Sequence, residues 1–431
     1  MKTSLTSPAP AATGDATGDG TEDCIEDGFE WFGLNELLAA GRQSLTRVVG
    51  DPDAFFARHW ESAPLIATGR PADAFADLMT LQDFDRILTE GPVAVQTLHA
   101  VDASQALPAE RLVYYRDNGT GPLADPGRVL DAFGAGATLV LHGLHRWWPP
   151  LRRLCQELSA VLSHRVVADA YLTPPGTTGH LRHYDTHDLF TLQIAGSKHW
   201  LIEEPTVALP LSSQHNTAER LGPSTTHFDG VLAAGTSMYL PRGYLHTVSS
   251  RADTSLHITL GIEAVTWKDA LSTAVRRHAE REQLPWRRVL PAGFARPGAP
   301  DPLSPAVTQV PPYQEMVAWA RERFWRHEFR SAHAGRLLSM VAAADGTTAG
   351  SGRTVRRAPG IVVRARHTGD QYVVSVDDKD VRLPAAIADD VRLLLAGAPV
   401  RPAQLRTATG PNAEVLLSRL VQEGILQIVD G

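Results

Sequence analysis

The chain predicts a β-rich α+β protein: a double-stranded β-helix of jelly-roll type, then a helical region, then a small C-terminal domain. Three observations carry this expectation. From about Leu65 to Val167 short strands and helices alternate, and beyond them come short strands with Gly/Pro turns, the pattern of an all-β core. After Trp267 the apolar spacing becomes helical, in KDALSTAVRRHAEREQ and PYQEMVAWARERFWRHEFRSAHAGRLL. After ADGTTAGSGRT the period changes again, to a strand pair, two helices and a last strand. The expected divisions are a disordered tail at 1–27, a catalytic β-helix domain at 28–268, a helical region at 269–344 and a small domain at 345–431.

Composition sets limits before any motif is read. The 431 residues are ample for two or three domains. A net charge of −7 provides no global basic field for nucleic acid. No apolar run approaches a membrane span, and the N-terminus lacks the hydrophobic stretch of a signal peptide. With only Cys24 and Cys155, a disulfide framework is not implied, and the expected compartment is a reducing cytoplasm.

Taken in order, residues 1–27 are too poor in apolar side chains to order themselves. FEWFGLNELLAAG has helical spacing with a glycine stop at Gly41, and Asp51-Pro52 opens a second helix with Phe55, Phe56 and Trp60 on one side. LVYYRDNGT reads as a strand and turn, and GATLVLHGL as a buried strand. Pro149-Pro150 starts a helix whose Leu151, Leu154, Leu158 and Leu162 form an apolar stripe. A proline-rich connector, RPGAPDPLSPAVTQVPP, separates the two later helices, and exposure of Trp319, Phe324 and Trp325 would favour a partner surface there.

The chemistry concentrates in Tyr171–Trp200, YLTPPGTTGHLRHYDTHDLFTLQIAGSKHW. On a strand, residues two apart point the same way, so His183 and Asp185 share a face with Leu189, Thr191 and Gln193. Phe190, Leu192 and Ile194 form the opposite, apolar face. His246, in PRGYLHTVSS, supplies the second imidazole of a two-histidine, one-carboxylate set of the kind that holds non-haem Fe(II) with positions left open. Lys198 is one of only four lysines among 41 basic residues, and it follows a turn at Gly196-Ser197. Its compact charge suits the far carboxylate of a small diacid. A zinc hydrolase using His183 and His187 is disfavoured, because the glutamate of H-E-x-x-H is missing.

This stretch, with GTSMYLPRGYLHTV and SLHITLG, resembles the JmjC-type ribosomal oxygenases of the cupin superfamily over roughly residues 50 to 268. The resemblance implies a JmjC/cupin jelly roll and hydroxylation of a side chain in a protein or peptide, with histidine β-carbon the favoured target. It implies Fe(II) at His183, Asp185 and His246, with 2-oxoglutarate and O2 as co-substrates. It assigns the 2-oxoglutarate carboxylate to Lys198, helped by Tyr171 and Thr191, and places His257 and Thr259 on the bordering strand. It further implies a helical homodimer interface after Trp267. Asp169 departs from the family, in which an amide is expected. A carboxylate there either pairs with an arginine, such as Arg116 or Arg182, or binds a cationic substrate group.

Two alternatives follow: a β-hydroxylase of a modified, cationic histidine in a ribosomally made natural-product peptide, or a non-catalytic iron-binding scaffold. Histone demethylation ranks low, since no aromatic cage for methyl-lysine is visible. The C-terminal block resembles a winged helix. Its helix VLLSRLVQEG carries no basic stripe, so a role in packing or peptide contact is favoured over DNA binding.

Overall fold

The computed structural model describes residues 28–102, 105–114, 122–280, 312–331, 335–344 and 353–429. The expected N-terminal tail, the proline-rich connector, most of the later linker, the turn after Tyr114 and Arg116 lie outside these residues.

Eight strands form the barrel: β1 Arg165–Thr173, β2 Thr178–His183, β3 Asp188–Ala195, β4 Ser197–Glu203, β5 Thr226–Ala233, β6 Ser237–Leu240, β7 Leu245–Ser250 and β8 Ser255–Glu263. They divide into two antiparallel sheets, ordered β1-β8-β3-β6 and β2-β7-β4-β5, the interleaving of a double-stranded β-helix. The first sheet is extended at one edge by Leu65–Ala67 and at the other by Thr138–Leu141, Leu98–Asp102 and Gln105–Ala106. Its pleat sends Phe190, Leu192 and Ile194 outward into the largest core, while Leu189 turns inward to Trp200, Ile202 and Met238. That is the division of faces expected from residue parity. At the β3–β4 turn Gly196 has φ +62°, and a Cβ there would sit 2.1 Å from the Thr254 carbonyl, so glycine is needed.

Helices cover the outer face: α1 Leu34–Val49, α2 Pro52–Arg58, α3 Leu81–Glu90, α4 Pro126–Gly134 and α5 Pro149–Leu162. The predicted leucine stripe of α5 is buried in full, each leucine contributing roughly 1.5–3 kcal/mol. Gly41 does not stop α1, which runs on to Val49 and ends at Gly50. Gly41 instead lets α1 approach α5: a Cβ there would lie 2.4 Å from the Glu157 carbonyl. Close packing, not chain termination, explains that glycine.

Beyond the barrel, α6 Trp267–Glu280 packs on α7 Tyr313–Arg323. The long amphipathic stretch is not one helix. It widens at Phe324–Glu328, ends at Phe329, and resumes at Arg336–Ala344. Trp319 and Phe324 are buried and Trp325 is half-buried, so the exposure that would favour a partner surface is not met at these residues. The exposed apolar residues nearby are Trp267, Tyr313, Leu337 and Leu338. In the C-terminal block the expected strand pair forms (Val363–Thr368 with Gln371–Val376), joined by Lys379–Pro384 and by a strand from the opposite end of the chain, Glu30–Phe32. Glu30 receives hydrogen bonds from Tyr372 and Arg392, which ties the two ends together. Helices Ala388–Leu395 and Pro411–Gln422 and the strand Leu426–Val429 complete the block.

Candidate functional site

His183 ends β2, and its register partner on β7 is His246, so one ladder brings the two imidazoles to a ring separation of 4.2 Å. Asp185 lies in the turn after β2, whose carbonyl accepts from the Gly243 N–H. Ligand atoms of His183, Asp185 and His246 all lie within 4.8 Å of one another. His183 Nδ1 lies 2.7 Å from the Leu181 carbonyl and His246 Nδ1 lies 3.2 Å from that of Tyr244. A proton on each Nδ1 directs the Nε2 lone pairs to the common point, the tautomer a metal ligand needs. Two imidazoles and one carboxylate on a small shared volume fit Fe(II) with three positions left for other ligands.

The intervening Tyr184 holds this turn. Its N–H donates to Asn216, whose amide donates back to the Tyr184 carbonyl, and its hydroxyl donates to the Gln214 carbonyl. Nothing in the sequence singled out Asn216. A single asparagine in a polar loop carries no periodic signal.

Next to the ligands the barrel interior turns polar. Lys198 is 1 % exposed, and burial alone lowers its pKa to about 7. No carboxylate among the described residues is within ion-pair distance of it. Thr191, fully buried on β3, has no hydrogen-bond partner for its hydroxyl among the described residues. Across β8, Thr191 registers with Thr259 and Gln193 with His257, while Tyr171 of β1 stacks on His257 at 4.8 Å. Trp200 stacks on His246 at 5.7 Å and closes one wall. A buried lysine without a carboxylate partner among the described residues, beside the unpartnered Thr191 hydroxyl, fits a dicarboxylate such as 2-oxoglutarate. All the residues singled out for that role fall on the inward faces of β1, β3, β4 and β8.

Asp169 registers with Thr259, two residues before Tyr171. The expected arginine pairing fails for Arg182, which binds Glu203 and the Leu221 and Gly222 carbonyls instead. The partner of Asp169 is His142 Nδ1 at 2.9 Å, together with the Gly143 N–H at 2.8 Å. These bonds outweigh desolvation and hold the Asp169 carboxyl below its ordinary pKa. His142 Nε2 continues to His99 Nδ1 at 3.2 Å. Both histidines were unforeseen, because each ends or interrupts an otherwise apolar strand and looks like a strand residue.

The Pro-Arg-Gly turn before β7 is fixed by a buried ion pair. The Arg242 N–H and guanidinium both donate to Asp188, each at 2.9 Å, and the same guanidinium meets Glu61 at 2.6 Å. Arg242 therefore has a structural role.

The barrel and its ligand set define the class, a cupin-type JmjC domain: the family profile described as "JmjC domain" matches residues 145–270. Around that domain the chain is similar in sequence to ribosomal oxygenases. Ribosomal oxygenase 1 of Gallus gallus is 33 % identical over 249 residues, spanning 56 % of this chain and 40 % of that protein. The bifunctional lysine-specific demethylase and histidyl-hydroxylase NO66 of Drosophila grimshawi is 30 % identical over 249 residues, 56 % of this chain and 34 % of its own length. The chain thus spans well under half the length of these relatives. Among solved structures, Escherichia coli ribosomal oxygenase YcfD aligns with a TM-score of 0.46 at 17 % identity, covering 89 % of this chain and 99 % of that one.

Proposed function

We propose that this chain is an Fe(II)- and 2-oxoglutarate-dependent oxygenase that hydroxylates an amino-acid side chain in a protein or peptide, with the β-carbon of histidine the favoured target. The observation that carries the reading is a three-donor ligand set in the same barrel as a buried Lys198 that has no carboxylate partner among the described residues, its strand paired with that of His246. A non-catalytic iron-binding scaffold would have no use for that lysine, whose burial costs stability. The relatives' names, a ribosomal oxygenase and a histidyl-hydroxylase, support the same substrate class.

In this mechanism His183, Asp185 and His246 hold Fe(II), and Lys198 pairs with the far carboxylate of 2-oxoglutarate. Tyr171 and Thr191 offer it hydroxyl hydrogen bonds, while His257 and Thr259 line its flank. Bound there, Fe(II) with 2-oxoglutarate and O2 supplies an oxidant able to convert an aliphatic C–H to C–OH, releasing succinate and CO2. The protein contributes orientation and dryness: Trp200 and the β8 side chains keep water from the centre, and the Tyr184 clamp holds the ligand turn. Because hydrogen is taken from carbon, no general base is assigned.

Asp169 favours a second reading of the substrate. It is a carboxylate with no arginine paired to it among the described residues, anchored by His142 and partly open, so it would suit a permanently charged or modified histidine in a ribosomally made natural-product peptide better than a neutral one. We further infer a homodimer built on the helical region, supported by exposed Trp267, Tyr313, Leu337 and Leu338. The C-terminal block reads as a winged-helix-like module that packs or contacts peptide, not DNA. A cytoplasmic enzyme is proposed; no described helix is long and apolar enough to cross a membrane.

The test is turnover with Fe(II), 2-oxoglutarate and O2 on paired peptides, one with ordinary histidine and one with doubly methylated, cationic histidine, scored by a gain of one oxygen. Addition to ordinary histidine supports the favoured reading. Preference for the cationic peptide that disappears in Asp169→Asn moves the assignment to the modified peptide. Oxygen added to neither peptide would reject histidine as the target.

A further inference from the structure

A cavity of about 600 Å³ lies outside the barrel, between α5 and the segment from Glu328 to Ser331. Its floor is apolar, made by Cys155, Val166 and Phe329, and its rim carries Arg146, Arg152, Arg165 and Arg330. The negative charge nearby is already committed. Glu263 binds Arg165 at 2.8 Å, and Glu328 binds Arg323 at 2.8 Å. Arg330 has only the exposed Asp378 at 3.9 Å. Among the described residues, Arg146 and Arg152 have no carboxylate within ion-pair distance; Arg152 donates only to the Arg146 carbonyl.

Two further donors in the cavity wall are unused. His145 Nδ1 accepts from the Ala168 N–H, so in the neutral ring the proton sits on Nε2, which has no partner among the described residues. Burial and the neighbouring arginines keep that ring neutral, its pKa lowered to about 4. Ser331 is 6 % exposed, and its hydroxyl also lacks a partner among the described residues. Buried donors left unmet cost free energy unless something accepts from them. In a chain with net charge −7, this concentration of guanidinium groups and spare donors is a local exception.

The cavity is also next door to the proposed reacting centre. Ala168, whose N–H meets His145, precedes Asp169, whose side chain belongs to the barrel interior. β1 thus has the cavity on one side and the candidate substrate carboxylate on the other.

We propose that this cavity is a second binding site, for an acidic stretch of the polypeptide substrate, which it would hold while the target residue enters the barrel. The proposal rests on the reading of the chain as a peptide or protein oxygenase. An acidic peptide is favoured over a small anion because the volume far exceeds that of a single phosphate or carboxylate. It also combines an apolar floor with cations spread along a rim, which suits side chains of both kinds on one segment.

The experiment is fluorescence anisotropy of labelled hexaglutamate with the metal-free full chain, a readout independent of whether the iron centre turns over. Hexaglutamine, hexalysine, pyrophosphate and adenosine monophosphate serve as competitors. Binding of hexaglutamate, weakened at least tenfold in Arg146→Gln/Arg152→Gln and no more than twofold in Arg86→Gln (an exposed arginine beside Glu90), is the expected result. Arg152→Gln alone, expected to weaken binding about threefold, covers the case in which the double variant folds poorly. Equal binding in variant and parent, or competition by pyrophosphate or the nucleotide at concentrations tenfold below those of unlabelled hexaglutamate, would overturn the proposal.

Discussion

Two buried cations flank the candidate metal centre, and they are treated in opposite ways. Arg242 enters the interior with its charge already answered, by Asp188 at 0 % exposure and by Glu61. Lys198 enters with no carboxylate among the described residues to answer it, and burial lowers its pKa to about 7. The first arrangement holds a turn in place; the second leaves the protein short of one anion. Paired buried charge holds a structural joint here, and the unpaired one is the candidate ligand position proposed above.

The comparison can be broken most sharply at its common neighbour. Asp185→Ala removes one of three metal donors, and metal affinity and succinate formation should each fall more than about 100-fold, beyond the loss from disturbing a supporting group. Calorimetric Fe(II) or Co(II) titration and a turnover assay would check it; succinate formation at the parent rate would remove the triad. Arg242→Met should come next. It strands Asp188 in the interior and should destabilise the fold by about 3–5 kcal/mol, read by urea denaturation.

Lys198→Met should split two properties that Arg242→Met loses together. Binding of 2-oxoglutarate should weaken at least about 30-fold, while the ligand-free protein should become more stable. The sign follows from the pKa values. The folded value, about 7, lies below the ordinary 10.5, so the unfolded chain takes the proton first. Stability contributed by this lysine therefore falls as pH drops from 10.5 to 7, and the full penalty applies below 7. A melting temperature at pH 6 that drops on substitution would contradict the unpaired state.

The same lysine predicts a milder effect in the parent protein. Above pH 7 its charge must be restored when the diacid binds, so 2-oxoglutarate affinity should fall by up to about tenfold per pH unit with proton uptake, measurable by calorimetry in buffers of different ionisation enthalpy. A flat affinity between pH 7 and 8.5 would assign the carboxylate elsewhere. The smallest effect is expected at Asp169→Asn, where the carboxylate is partly open. Selectivity for a cationic over a neutral histidine peptide should drop roughly fivefold.

Much of the site was legible because local patterns reach it. Residue parity alone put Thr191 and Gln193 on one face of β3 and Phe190 and Ile194 on the other, and the resemblance named the ligands and Lys198. What was illegible is held by singular residues in irregular segments. Asn216 clamps Tyr184 from a loop, His142 answers Asp169 from just past the end of a neighbouring strand, and Glu61 reaches Arg242 across nearly two hundred residues of chain. None of these has a period to read.

The sequence by itself determined the strand and helix periods and the two faces of the barrel strands, because these depend on neighbours within a few positions. Only the tertiary structure decided which charges are answered and which are not. Gly41 illustrates the same limit: as a string it looks like a helix stop, and in the fold it is the place where α1 touches the Glu157 carbonyl. Pairing and close approach depend on distances between residues far apart in the chain, and those distances exist only once the sheets and helices have packed.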